Sequence, residues 1–109
     1  MHPCLVIRHG AAEDRAASGL DADRALTAEG RLAMSDVARG LAVTAPAPAV
    51  ILSSPFTRAR QTAAIVAEAF GEIPVESLDA LGSGAPAADI LAALTHRCKE
   101  PGGAFALVG

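Results

Sequence analysis

Two short stretches carry side chains that together could act on a phosphoryl group. Arg8-His9-Gly10 follows the apolar run Cys4 to Ile7, and Ser53-Ser54-Pro55-Phe56-Thr57-Arg58 closes the apolar run that starts at Ala49. In open α/β sheets ligands collect beyond the carboxyl ends of the strands, so both stretches fall where a ligand would sit. Ser54 as N-cap and Pro55 at the first helical position would place Arg58 in the first turn of a helix. Free N–H groups and the positive dipole end make that turn a natural anion site. A guanidinium matches phosphate oxygens two at a time, so Arg8 and Arg58 can fork onto one phosphoryl group while His9 attacks phosphorus. Gly10 allows close approach and unusual backbone angles. Phosphoryl transfer needs charge neutralised on the equatorial oxygens and an attacking atom held in line. Two Arg and one unprotonated imidazole supply this without a metal, splitting hydrolysis into two steps through a phosphohistidine. Taken singly, a His after a strand is more often a loop residue, and an Arg at a helix start a solvated side chain. The reading stands on their conjunction at one end of one sheet.

The elements that must position these groups are legible in outline. Cys4 to Ile7 has strand length. After a polar loop to about Leu26, Thr27 offers an N-cap with Glu29 in the first turn. Met34, Val37, Ala38 and Leu41 then repeat at helical spacing, which predicts a helix over Thr27 to Val43, broken by Pro46 and Pro48. Ala49 to Ser53 reads as a buried strand. The next helix carries the stripe Ala59, Ala63, Val66 and Phe70 and ends at Gly71, in the position of a C′ glycine. Ile73 to Ser77 suits a short strand. Pro86 opens a helix with Ile90, Leu91, Leu94 and Cys98 on one face, and Ala104 to Val108 is a last strand. Strands alternating with helices predict a mostly parallel sheet with helices on both faces, a three-layer α/β/α domain. All 109 residues fit one domain. An apolar strand at the terminus, with no closing helix, predicts a domain lacking its C-terminal part.

Composition excludes several other classes. A hydrophobic share of 51% and a mean hydropathy of +0.36 rule out disorder as a description of the whole chain. Alanine supplies 26 residues and aromatics only 3%, leaving almost no material for stacking nucleic-acid bases. A net charge of −3 with pI about 5.5 argues against a general polyanion binder, so no nucleic-acid partner is expected. Eight of the nine basic residues are Arg, which favours individually placed anion contacts. No apolar run reaches membrane-span length, and the N-terminus lacks a signal peptide's basic region. Cys4 and Cys98 show neither disulfide-scaffold nor metal spacing, so free thiols in a cytoplasmic protein are expected. Asp21-Ala22-Asp23 lacks the further carboxylates of a cation loop, and Gly82-Ser83-Gly84 is too short to cradle a phosphate. No metal or cofactor is expected.

The segment Leu5-Val6-Ile7-Arg8-His9-Gly10 resembles the RHG signature of the histidine phosphatase superfamily, which has the phosphoglycerate mutase-like fold. Arg24-Ala25-Leu26-Thr27-Ala28-Glu29-Gly30 is similar to its R-x-L-T-x-x-G helix entry. Ser53-Ser54-Pro55-Phe56-Thr57-Arg58-Ala59-Arg60-Gln61-Thr62-Ala63 is similar to its S-S-P-x-x-R-A-x-Q-T-A segment. Small size and the absence of an inserted helical lid resemble the SixA branch, whose members dephosphorylate phosphohistidine on signalling proteins. By that resemblance His9 is the nucleophile, Arg8 and Arg58 hold the phosphoryl group, and Arg24 helps shape the pocket. The implied partner is a phosphorylated protein carrying phosphohistidine, or a small phosphate ester.

Two departures qualify the resemblance. The family's second pocket histidine directly follows a strand ending like Ala106-Leu107-Val108-Gly109, and this chain ends one residue short of it; His2 and His96 are poor substitutes. Losing one preorganised donor of this kind costs on the order of a hundredfold or more in rate. Mutases and sugar phosphatases of the superfamily place a Glu after the third strand, whereas Leu78 to Gly84 has none and Asp79 is a weak stand-in. Glu13 and Asp14 lie near the RHG loop but read as solvated. A labile phosphoryl group needs less protonation of its leaving group, which favours phosphohistidine. The alternatives are a non-catalytic phosphoryl-binding relic or truncated fragment, and a small-molecule phosphatase or mutase.

Overall fold

The computed structural model describes residues 4–81 and 105–109. Four strands form one parallel sheet: β1 (Cys4–Ile7), β2 (Val50–Ser53), β3 (Val75–Ser77) and β4 (Phe105–Val108), in the spatial order β1-β4-β2-β3. Two helices accompany them, α1 (Ala28–Thr44) and α2 (Thr57–Ala69), with 3-10 turns at Asp21–Asp23 and Asp79–Leu81. Strand β4 pairs with β1 on one side, Ile7 opposite Val108, and with β2 on the other, Ser53 opposite Val108. The carboxyl ends of three strands therefore finish level. Their backbones stay tied past the strands: Gly109 N–H donates to Ile7 O and His9 N–H donates to Gly109 O, both at 3.1 Å, and Ser54 N–H donates to Val108 O at 2.9 Å.

Strand alternation sorts the side chains into two faces. Ile7, Ile51, Ala106 and Val108 are buried in one core with Met34 and Ala38 of α1 and Ala59, Ala63, Val66 and Ala67 of α2. The two helices pack against each other over this face. Alanine on α2 brings the helix close to the sheet, and Phe70 packs at the margin of the core. On the opposite face Leu52 is buried while Val6 is 78% exposed. The helix predicted from Pro86 through Ile90, Leu91, Leu94 and Cys98 lies outside the described residues, as does Gly82-Ser83-Gly84.

The predicted elements stand close to their observed bounds, with corrections at the caps. Thr27 caps α1 as predicted, its hydroxyl accepting from Gly30 N–H at 2.9 Å. Gly71 takes φ +97° just past α2, the left-handed position that favours glycine. Ser54 is not the N-cap of α2. Its hydroxyl accepts from Phe56 N–H at 3.2 Å, a local side-chain turn that delays the helix to Thr57. Val37 faces outward, 49% exposed, while Met34 and Ala38 of the α1 stripe are buried and Leu41 packs against the core at its margin. Gly10 serves for room and not for an unusual angle. A Cβ there would lie 3.1 Å from Gly30 O and closer still to the Met34 side chain, while its φ is not positive.

Candidate active site

Among the described residues the buried polar side chains are Ser53, Ser54, Arg58 and Thr62. All four lie at the carboxyl end of β2 and the start of α2. A polar group in a core needs a partner, and these partners lead to His9. Thr62, fully buried, donates its hydroxyl to Arg58 O at 2.8 Å and accepts from Gly10 N–H at 3.3 Å. One turn of α2 is thereby fastened to the loop after β1. The neighbouring Gln61 Oε1 accepts from Leu26 N–H at 2.8 Å, fastening the same turn to the loop before α1. Glycine at position 30 lets the start of α1 press on Ala11, whose carbonyl would collide with any Cβ there.

These contacts set His9 between strand ends, half-buried, with both ring nitrogens engaged. Nδ1 lies 2.8 Å from Gly10 O, and a carbonyl only accepts, so Nδ1 carries the proton in this contact. Nε2 then holds the lone pair and accepts from Arg58 Nε at 3.3 Å. The Arg58 side chain is only 10% exposed. Its guanidinium stacks 4.7 Å from the centre of the Phe56 ring, and its terminal nitrogens reach Asp21: one donates to the Asp21 carbonyl at 2.8 Å, the other to the carboxylate at 3.1 Å. Of five guanidinium N–H donors, two remain for a ligand.

Asp21 is exposed but twice paired, since Arg24 Nε donates to its other carboxylate oxygen at 2.8 Å. The hydrogen bond from Arg58 holds its carboxyl below the usual value of 3.8; the charges of Arg58 and Arg24 add to this, and desolvation opposes it. It is therefore an anion at neutral pH. Arg24 also donates to Glu13 O at 2.9 Å, and Asp21 and Arg58 stand between it and His9.

Of the predicted site residues, then, His9 and Arg58 are brought together, and Arg24 reaches them through Asp21. Arg8 is exposed and makes no hydrogen bond or ion pair with the described residues. It lines, with Val6, His9, Leu107 and Gly109, a groove of about 400 Å³. A larger hollow of about 760 Å³ between α2 and β3 touches Ser53, Thr57 and Arg60 but neither His9 nor Arg58. Of the two, the smaller groove is the one that reaches His9. Glu13, Asp14 and Asp79 are exposed. Sequence reasoning gave no role to Asp21, Gln61 or Thr62; the three-residue spacing of Asp21 and Arg24 was the available signal for the first. No group of three His, Cys, Asp or Glu gathers among the described residues as a metal site would need. None of the described helices is long and apolar enough to cross a membrane.

Known proteins share this fold. The model of the histidine phosphatase superfamily (branch 1) matches residues 4–82. The SixA structure from Agrobacterium tumefaciens superposes with a TM-score of 0.84 at 27% identity, over 97% of this chain and 67% of its own. The protein histidine phosphatase SixA complexed with tungstate gives 0.86 at 27% identity, with the same two coverages. SixA from Nakamurella multipartita gives 0.76 at 29%, over 97% of this chain and 57% of that one. No curated protein sequence matches. The parallel α/β fold is that of SixA and its phosphoglycerate mutase-like relatives.

Proposed function

The chain belongs to the histidine phosphatase superfamily, and from that premise we propose a metal-independent phosphatase that works through phospho-His9 on protein phosphohistidine, in the cytoplasm. One observation carries the reading: His9 Nδ1 is committed to Gly10 O, which leaves the Nε2 lone pair facing Arg58. A nucleophilic imidazole needs that tautomer, and fixing one nitrogen by a hydrogen bond selects it. SixA held with tungstate, a tetrahedral oxyanion, supports a phosphoryl-sized ligand at such a site.

In the first step a phosphoryl oxygen takes over the Arg58 Nε–H, freeing Nε2 to attack phosphorus. The bond from phosphorus to the leaving group breaks as the Nε2–P bond forms, and the leaving group keeps the electron pair and takes a proton from solvent water. Arg58 and Arg8 neutralise the equatorial oxygens. Water then attacks phospho-His9 and gives up a proton to solvent, the electron pair of the broken Nε2–P bond returns to Nε2, and inorganic phosphate departs with His9 restored. Leu78 to Gly84, after β3, contains no Glu to act as a general acid. That favours a leaving group that departs with little help, such as the imidazole of a phosphohistidine. The supporting experiment compares phosphate release from a phosphohistidine protein with release from sugar and glycerate phosphates. Preference for the protein is expected. Turnover confined to the small esters would replace this substrate class, and release from none would leave a phosphoryl-binding relic.

A further inference from the structure

Arg58 leaves α2 on a long flexible side chain, and such a chain takes one pose only if its far end is held. Among the described residues the hydrogen bonds to the far end come from Asp21 alone, through two acceptors on the two terminal nitrogens, while the Phe56 ring stacks on the guanidinium plane without fixing its direction. With both ends of the fork engaged, the remaining Nε–H faces His9 Nε2. The Asp21 carbonyl also accepts from Arg24 N–H at 3.1 Å, closing the 3-10 turn, and the carboxylate accepts from Arg24 Nε. The Arg24 guanidinium is anchored in turn on Glu13 O. Bonds therefore run without a gap from Glu13 through Arg24, Asp21 and Arg58 to His9.

We infer that Asp21 is a positioning residue: it aims the Arg58 guanidinium at His9 Nε2, and Arg24 holds Asp21 in place. The inference rests on the reading of His9 as nucleophile. An exposed ion pair is ordinarily worth little to stability, and Asp21 contributes nothing to the core. Its partner is different, because Arg58 is nearly sealed from water and stands next to the reacting nitrogen. Substituting Asp21 should therefore spare the fold and disturb the chemistry.

The test uses the full chain with Asp21→Ala and Asp21→Asn, read by phosphate release and by nitrogen NMR of the His9 ring. Asp21→Ala should lower kcat about tenfold to a hundredfold, with a smaller change in KM, since a misdirected group next to the reacting atom acts on the rate. Asp21→Asn keeps an oxygen to accept from Arg58 and should recover part of the loss. In the NMR spectrum, the wild-type ring should show Nδ1–H with Nε2 shifted by the bond from Arg58, and Asp21→Ala should move the Nε2 signal toward that of an unbonded nitrogen while Nδ1–H stays. An Asp21→Ala protein with wild-type kcat or an unchanged His9 Nε2 signal overturns the inference. A moved Nε2 signal in a chain that releases no phosphate from any substrate would uphold the positioning role and overturn the phosphatase reading instead.

Discussion

Replacing Gly30 by Ala should destabilise the protein, although it replaces the poorer helix former with the best one. Gly30 lies two residues into α1, where Ala is favoured over Gly by about 1 kcal/mol. Against this gain stands the Ala11 backbone: a Cβ on Gly30 would fall on the Ala11 carbonyl and lie 3.1 Å from its C and N atoms. Neither side is the loose end of a side chain, so α1 or the loop must retreat by roughly an ångström, and overpacking of this kind costs about 1–3 kcal/mol. The Ala11 carbonyl also accepts from Thr27 N–H at 2.9 Å, so its movement loosens the cap of α1. With strain at the upper end of that range it exceeds propensity, for a net loss of up to about 2 kcal/mol and a fall of several degrees in Tm. Because Ala11 adjoins Gly10 and His9, the same shift should cost up to about a hundredfold in phosphate release. Gly40→Ala in the same helix is the control, since a Cβ there meets nothing within 4 Å. It should gain up to about 1 kcal/mol and leave activity alone. Denaturant melts of the two variants decide the matter. A Gly30→Ala protein as stable and active as Gly40→Ala would refute the packing argument.

Thr62→Val removes a buried hydroxyl while keeping its shape, leaving the Gly10 N–H without its acceptor, and should cost about 1–3 kcal/mol together with activity. Thr62→Ser keeps the hydroxyl and should retain most of the kcat, which urea melts and phosphate release will show. The lowered carboxyl of Asp21 gives a signed pH prediction. Its folded value lies below 3.8, so its stabilising contribution is present above 3.8 and disappears as pH falls through the folded value. The Tm difference between wild type and Asp21→Asn should therefore be constant at every pH above 3.8 and shrink below it. Shrinkage already at neutral pH would contradict the pairing of Asp21 with Arg58.

The residues of the site were legible where local rules govern. Thr27 follows the side-chain capping rule, Gly71 needs a left-handed backbone, and Arg8-His9-Gly10 and Arg58 follow apolar runs at strand ends. The helix start at Ser54 misled because one hydroxyl can serve two local turns, and here it bonds Phe56 N–H before the helix begins. The order β1-β4-β2-β3 was not legible, because insertion of the last strand between the first and second depends on contacts distant in sequence. Asp21, set aside in the sequence together with Asp23 as no cation loop, showed no role for a related reason: its partner Arg58 lies 37 residues away, whereas its i,i+3 neighbour Arg24 suggests only an ordinary surface pair. Thr62 and Gln61 sit inside a recognisable stretch, but only the fold reveals that they fasten two separate loops. Arg8, expected to fork with Arg58, lines the groove beside His9.

The most direct test of the account is to trap the phosphoenzyme. The chain is mixed with a phosphohistidine protein, quenched in alkali within the first turnover, and the phosphorylated residue and ring nitrogen are identified by mass spectrometry and phosphorus NMR. The account predicts phosphate on His9, bonded to Nε2, and none in the His9→Ala variant. Phosphate on any other residue, or on Nδ1 of His9, would contradict it, as would release that persists after His9 is removed.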